Sequence, residues 1–307
     1  MSVQRSAFSV QRLVPALGRC GQIGRAFTQA VRNIFLIIEY DGTRYAGWQR
    51  QVSRPTVQAT LEHVLGETVG HVVALRGAGR TDAAVHALGQ AATFLTKTNL
   101  PARAILHVAN RALPDDIVIR HVAEAPAQFD TRRHAIMRHY RYRLIHSPTP
   151  PAVDRHTWAH VAGPLDRATL FAAVALFEGE HNFAAFRSSQ CKAKRTVLTM
   201  ARSRLTIDNE RLIFDFACRS FLHHMVRMIV GTALAAARGR LALDDIERLL
   251  AQRSDGGPAG RGGASASLRA GPTAPPQGLI LMGVEYAEPY EQFNTYNSPS
   301  SVGGWSG

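Results

Sequence analysis

The sequence predicts an α+β fold in which two similar subdomains form a mostly antiparallel sheet flanked by helices. Three observations lead there. Short β-prone runs recur along the 307 residues. Stretches with helical apolar periodicity lie among them. The connections are of hairpin length, shorter than the crossovers a parallel sheet needs. The second half repeats the style of the first, although no repeat is visible in the residues themselves.

Residues 1–32 stand apart as a basic extension. They hold Arg5, Arg12, Arg19, Arg25 and Arg32, and no acid precedes Glu39. That composition fits an organellar transit peptide, and equally a disordered basic arm or an upstream start codon. Packed sequence begins at Asn33. Ile34 to Tyr40 reads as a buried strand ended by the Asp41-Gly42 turn. Val57, Leu61, Val64 and Leu65 fall at i, i+4, i+7 and i+8, which predicts a helix over 56–69 with Thr56 as N-cap. Short strands are expected at Val72–Leu75 and Gln90–Thr96, with Gly77, Gly79, Arg80, Thr81 and Asp82 in the loop between them. A helix near 101–112 and a strand at 117–122 complete an N-terminal subdomain, 33–135.

The second subdomain, 136–287, opens with a strand over Ile136–Ile145. Alternation puts Tyr140, Tyr142 and Leu144 on one face and His139, Arg141 and Arg143 on the other. Asp166 caps a helix with the stripe Leu170, Ala173, Val174 and Phe177, stopped by Gly179. Strands at 196–207 and 211–218 lead into a long helix, 221–238, and a short one, 243–252. Gly, Pro, Ala and Ser dominate 254–278, a flexible loop that contains an insertion at 254–275. Leu279–Tyr286 closes the subdomain as a strand, and 288–307 reads as a disordered tail.

Composition narrows the function. The formal net charge is +13, from 36 Lys+Arg against 23 Asp+Glu. Such an excess favours a polyanionic partner, nucleic acid first. Only Lys97, Lys192 and Lys194 are lysines. GC-rich coding would give that Arg bias, but not the excess over acids. Cys20, Cys191 and Cys218 are isolated and form no CxxC pair, which argues against a zinc ribbon or disulfide framework and for a reducing compartment. No apolar run reaches the length of a membrane span, and Met1–Arg32 lacks the continuous apolar core of a secretory signal. A cytoplasmic location is expected, or an organellar one if the extension is a transit peptide.

Two segments carry candidate chemistry. In Gly77-Ala78-Gly79-Arg80-Thr81-Asp82-Ala83-Ala84-Val85-His86-Ala87, small residues surround one Arg and one Asp, so backbone can approach a substrate closely. An Asp beside an Arg is held ionised by the cation, although a Thr-Asp turn with a surface ion pair gives the same pattern. In Phe221-Leu222-His223-His224-Met225-Val226-Arg227, a helical reading sets Leu222, Met225, Val226 and Ile229 in the core and His223 with Arg227 on another face. Neighbours on a helix diverge by about 100°, which argues against one metal ion between His223 and His224. Arg227 suits a phosphate or carboxylate contact. Arg138, Tyr140, Arg141, Tyr142 and Arg143 interleave aromatics with cations, as base stacking with phosphate contact requires, and as an exposed basic face over core tyrosines also would.

These residues, taken together, resemble the tRNA pseudouridine synthase A family, whose members modify uridines 38 to 40 of tRNA. The resemblance runs from Asn33 to about Tyr286. It rests on Glu39-Tyr40-Asp41-Gly42-Thr43 with Tyr45, Gly47, Trp48, Gln49 and Arg50; on Gly79-Arg80-Thr81-Asp82 with Val85-His86-Ala87 and Gly89-Gln90; on Asn110 with Leu113-Pro114; on Tyr140-Arg141-Tyr142; on Asn182-Phe183 with Phe186-Arg187; on Phe221 with His223-His224-Met225-Val226-Arg227; and on Gly278-Leu279. The resemblance implies Asp82 as catalytic aspartate, Arg80 as an RNA-contacting arginine, Tyr140 as the ring packed on the target base, and Arg227 as the partner of the aspartate. Arg50, His223 and His224 are further substrate-binding candidates. It also implies the pseudouridine synthase fold, a homodimer, no cofactor and no metal. Ala84 stands where the family usually has Gly, and strains the loop by roughly 1 kcal/mol if that position needs positive φ. Met228 replaces a common Asn, and the linker at 254–275 is longer than usual. Two other readings share some of these features: a catalytically silent RNA-binding protein, and a metal-dependent hydrolase built on the histidines.

Overall fold

The computed structural model describes residues 30–251 and 268–296. The extension as far as residue 29, most of the 254–275 insertion and the tail from 297 lie outside the described residues. The chain forms β1 (Arg32–Tyr40), α1 (Val57–Val69), β2 (Arg76–Gly77), β3 (His86–Thr96), α2 (Ala102–Ala112), β4 (Ile117–Ala125), β5 (Ala135–His146), β6 (Ala159–Val161), α3 (Arg167–Ala175), β7 (Gly179–Asn182), β8 (Val197–Asp208), β9 (Arg211–Cys218), α4 (Met225–Ala237), α5 (Leu243–Ala251) and β10 (Leu279–Tyr286). Thr56 caps α1 through the Ala59 amide and Asp166 caps α3 through the Ala168 amide, as their sequence positions predict.

The strands join in one sheet in the order β4-β1-β3-β10-β5-β9-β8-β7, with β2 on β3 and β6 on β5. The β10–β3 and β5–β6 pairs are parallel and the others antiparallel. Strand β10 thus fills the centre, between strands of the first half and strands of the second. Alternation sets the two faces. Ile34, Leu36, Ile38 and Tyr40 of β1, Tyr140, Tyr142 and Leu144 of β5, and Leu279 and Leu281 of β10 pack with the buried sides of α1 to α5. Phe35, Ala135, Val284 and Tyr286 face the other way, into a smaller cluster with Phe129 and Phe293.

Several expectations need correction. No strand forms over Val72–Leu75. Glu62 Oε1 takes the Leu75 amide at 2.8 Å and Gln58 Nε2 donates to the Leu75 carbonyl at 3.2 Å, so side chains replace the ladder there. The strand expected from Gln90 starts four residues earlier, at His86. The long helix begins at Met225 and not at Phe221, because His224 adopts φ 64° and ends the preceding turn. The insertion is pinned at its C-terminal end. Gly271 N donates to Thr232 Oγ1 at 2.9 Å, and Ala274 N donates to Arg227 O at 3.0 Å. The tail is packed as far as Tyr296: Phe293 is buried, Thr295 N donates to Val284 O at 2.9 Å, and the Tyr296 ring stacks on His139 at 3.6 Å. Gly89 and Gly283 permit this approach, since a Cβ on either would stand within 2.8 Å of the tail backbone.

Candidate active site

The residues that resembled a motif around Tyr40–Arg50 cradle the Asp82 loop. Trp48 N donates to Thr81 O at 3.1 Å, and Ala84 N donates to Tyr45 O at 3.2 Å. The Tyr40 hydroxyl and Thr81 Oγ1 share a buried hydrogen bond of 2.7 Å. Gly47 has φ 101°, and a Cβ on it would lie 2.6 Å from Thr81 O. From the β3 side, Gln90 Nε2 donates to Gly79 O at 2.9 Å. His86 closes the loop, its Nδ1 accepting the Gly42 amide at 3.0 Å and its Nε2 lying 3.2 Å from Gln277 O. Burial holds the His86 imidazole below its usual pKa against the pull of Asp41. The loop therefore has little freedom except at its exposed tip. Ala84 sits at φ 60°, the strained conformation its position foreshadowed.

Asp82 is brought to the N-terminal end of α4. Arg227 Nη1 is 3.4 Å from Oδ2, His223 Nε2 is 3.4 Å from Oδ1 and His224 Nε2 is 3.6 Å from Oδ2. These are long for charge-assisted hydrogen bonds, which run at about 2.7–2.9 Å. The carboxylate faces one guanidinium and two imidazoles without being locked bidentate, and its side chain is 19% exposed. Arg227 is aimed by its Nε, which donates to Ala274 O at 2.8 Å. Burial holds His224 below its usual pKa, with Asp82 opposing and His223 and Arg227 adding to the shift. The left-handed backbone at His224 turns the two adjacent imidazoles the same way, with ring centroids 4.0 Å apart. The donor atoms of Asp82, His223 and His224 all lie within 4.8 Å of one another. The helical divergence that argued against a shared ion does not apply, because both histidines precede α4.

Tyr140 and Tyr142 share a face of β5 but not an environment. The Tyr142 ring is fully buried and its hydroxyl donates to Pro275 O at 2.9 Å. Tyr140 packs edge-on against Phe221, with centroids 5.0 Å apart. Its hydroxyl points past Gly79 toward the Asp82 loop, where a Cβ on Gly79 would stand 4.0 Å away. Burial first, and the Asp82 charge second, raise its pKa, so it stays a neutral phenol.

The remaining candidates separate. Arg80 is exposed and makes no ion pair or side-chain hydrogen bond among the described residues. Arg50 instead pairs with buried Glu62. Arg141 is held bidentate by its cross-strand partner Asp215, at 2.8 and 3.1 Å. Arg143 lies over the Trp158 ring at 5.6 Å. The basic face of β5 is thus largely occupied by protein partners. Arg138, expected with Arg141 and Arg143 as a phosphate-contacting cation, is instead a brace. Its guanidinium donates to Ala78 O at 2.8 Å, to Arg132 O at 3.2 Å and to Arg219 O, which ties the root of the Asp82 loop to the segment before α4.

A carboxylate in a loop that lets backbone approach, a neutral phenol across from it and a free arginine beside it suit chemistry on an anionic, ring-bearing substrate. Comparison with known proteins gives the class. The tRNA pseudouridine synthase family model matches residues 36–132 and 173–287. The tRNA pseudouridine synthase A of Geobacter sp. (strain M21) is 42% identical over 258 residues, covering 84% of this chain and 100% of the relative. Those of Acetivibrio thermocellus and Geotalea daltonii are 41% and 43% identical over 256 residues, each covering 83% of this chain and 100% of the relative. The chain therefore belongs to the tRNA pseudouridine synthase family, a family of isomerases.

Proposed function

We propose that this protein isomerises uridines 38, 39 and 40 in the anticodon arm of tRNA to pseudouridine, with Asp82 as its catalytic carboxylate. The observation that carries the reading is the meeting of Asp82 with Arg227, 3.4 Å apart, beside the Tyr140 ring. The reaction breaks the N1–C1′ bond, turns the uracil and joins C5 to C1′. C5 gives up its proton and N1 gains one, so the isomerisation is redox-neutral and consumes no water. A stacked base must first be extruded, and Tyr140 is suited to replace the lost stacking. Asp82 then acts as nucleophile or as base on the sugar, with Arg227 neutralising its charge. Arg80, His223 and His224 are the candidate contacts to phosphate and base; Arg50 is a weaker one, since Glu62 engages it. The net charge of +13 supports a polyanionic substrate. We extend the reading to a cytoplasmic homodimer in which 33–135 and 136–287 act as subdomains.

Incubation of the protein with an unmodified tRNA transcript, followed by pseudouridine mapping, tests this. The product is expected at positions 38 to 40. Binding without product would favour a silent RNA-binding protein, and product elsewhere would reassign the target.

A further inference from the structure

The three donors around Asp82 have a property that isomerisation does not require. A tetrahedral ion with bonds of about 2.0–2.1 Å needs its ligand atoms about 3.3 Å apart. His223 Nε2 is 3.4 Å from Asp82 Oδ1 and His224 Nε2 is 3.6 Å from Oδ2, so each imidazole stands near that edge length from its own carboxylate oxygen. With one carboxylate oxygen as ligand, the three donor atoms lie within 4.8 Å of one another, so small side-chain rotations bring them onto a single ion. Two imidazoles with one carboxylate and an open fourth position suit a borderline-soft ion over Mg²⁺ or Ca²⁺, which prefer oxygen. The left-handed turn at His224 makes the set convergent.

We propose that Asp82, His223 and His224 form a binding site for a divalent transition-metal ion of the Zn²⁺ type, whose occupancy silences the enzyme. An ion there takes Asp82 Oδ as a ligand, so the carboxylate can no longer act on the sugar. Arg227 opposes the ion, because its Nη1 lies 3.4 Å from the same carboxylate and Ala274 O holds it in place. The site is therefore inhibitory and readily reversed by chelator, and the bound ion takes no part in turnover. Silencing rests on the proposed role of Asp82; binding does not.

Calorimetric titration of untagged full-length protein with Zn²⁺ alone tests the site. One ion per chain is expected at micromolar Zn²⁺, with none of that class for Mg²⁺. Asp82→Asn, His223→Gln and His224→Gln should each weaken it at least tenfold, and Arg227→Gln should tighten it. Thermal melts establish that each variant is folded, and any one folded ligand variant suffices. Unchanged binding in a folded ligand variant, or no binding below millimolar Zn²⁺, overturns the site. In a second arm, wild-type pseudouridine formation should fall at least tenfold on adding Zn²⁺ and return with chelator. Zn²⁺ binding without any pseudouridine formation in metal-free buffer would fault the proposed function and leave the site standing. Normal turnover with the site filled would overturn the silencing.

Discussion

Asp82 and Arg227 lie 145 positions apart in the chain, yet Arg227 Nη1 comes within 3.4 Å of Asp82 Oδ2. Each is held from elsewhere. The Asp82 loop hangs on Tyr45 and Trp48 carbonyl and amide groups, and Arg227 hangs on the Ala274 carbonyl. The pair is therefore set by two independent supports, and their meeting is a property of the assembled sheet.

Asp82→Asn should lower pseudouridine formation by more than about a thousandfold, because the amide neither attacks nor accepts a proton effectively. tRNA affinity should change only a few-fold. Single-turnover kinetics with a filter-binding assay measure both. Turnover near the wild-type rate would remove Asp82 from the chemistry.

The two tyrosines of β5 should respond differently to loss of the hydroxyl. Tyr142→Phe leaves the Pro275 carbonyl without its donor and should cost about 1 kcal/mol of stability with normal turnover once folded. Tyr140→Phe should keep stability and lower turnover. Tyr140→Ala should lower it further, since base stacking is worth about 1–3 kcal/mol. The reverse pattern would make Tyr140 the core residue.

Ala84→Gly relieves a positive φ of 60°. The left-handed penalty exceeds the entropy cost of glycine, so stability should rise by up to about 1 kcal/mol. That corresponds to a shift in melting temperature of about 2–4 °C. A lower melting temperature for the glycine variant would contradict the strain.

Burial holds His86, His139 and His224 below their usual pKa of 6.5. Below pH 6.5 the unfolded chain takes up these protons before the folded one, so stability rises with pH across that range. It should be full above about pH 6.5 and fall as the pH drops through the histidines' lowered folded values. Denaturant midpoints from pH 7.5 to 5.5 measure this. His139→Gln should flatten the slope, and a slope unchanged by the substitution would assign the effect to other groups.

Arg138→Met removes the donor shared by Ala78, Arg132 and Arg219 carbonyls. We expect kcat to fall about tenfold or more with KM for tRNA little changed, and Arg138→Lys to recover part of the loss. A variant that only melts earlier, with normal kcat at low temperature, would give Arg138 a purely structural role.

Much of this protein was legible in residue order. The helix caps at Thr56 and Asp166 are local hydrogen bonds between near neighbours, and the faces of β1 and β5 follow from strand alternation. The Asp82 loop announced itself through its small residues, and the strain at Ala84 through a missing glycine. Tertiary structure decided what depends on distant partners. Leu75 left its expected strand because Glu62 and Gln58 bonded its backbone. Arg50, Arg141 and Arg143 lost their freedom to Glu62, Asp215 and Trp158. The tail to Tyr296 became ordered because Gly89 and Gly283 let it lie on the sheet. His223 and His224 converged because one left-handed residue ended the turn before α4. Periodicity and propensity act within a few residues. Pairing of a buried charge, or docking of a segment, depends on which groups the closed sheet brings within a few ångströms.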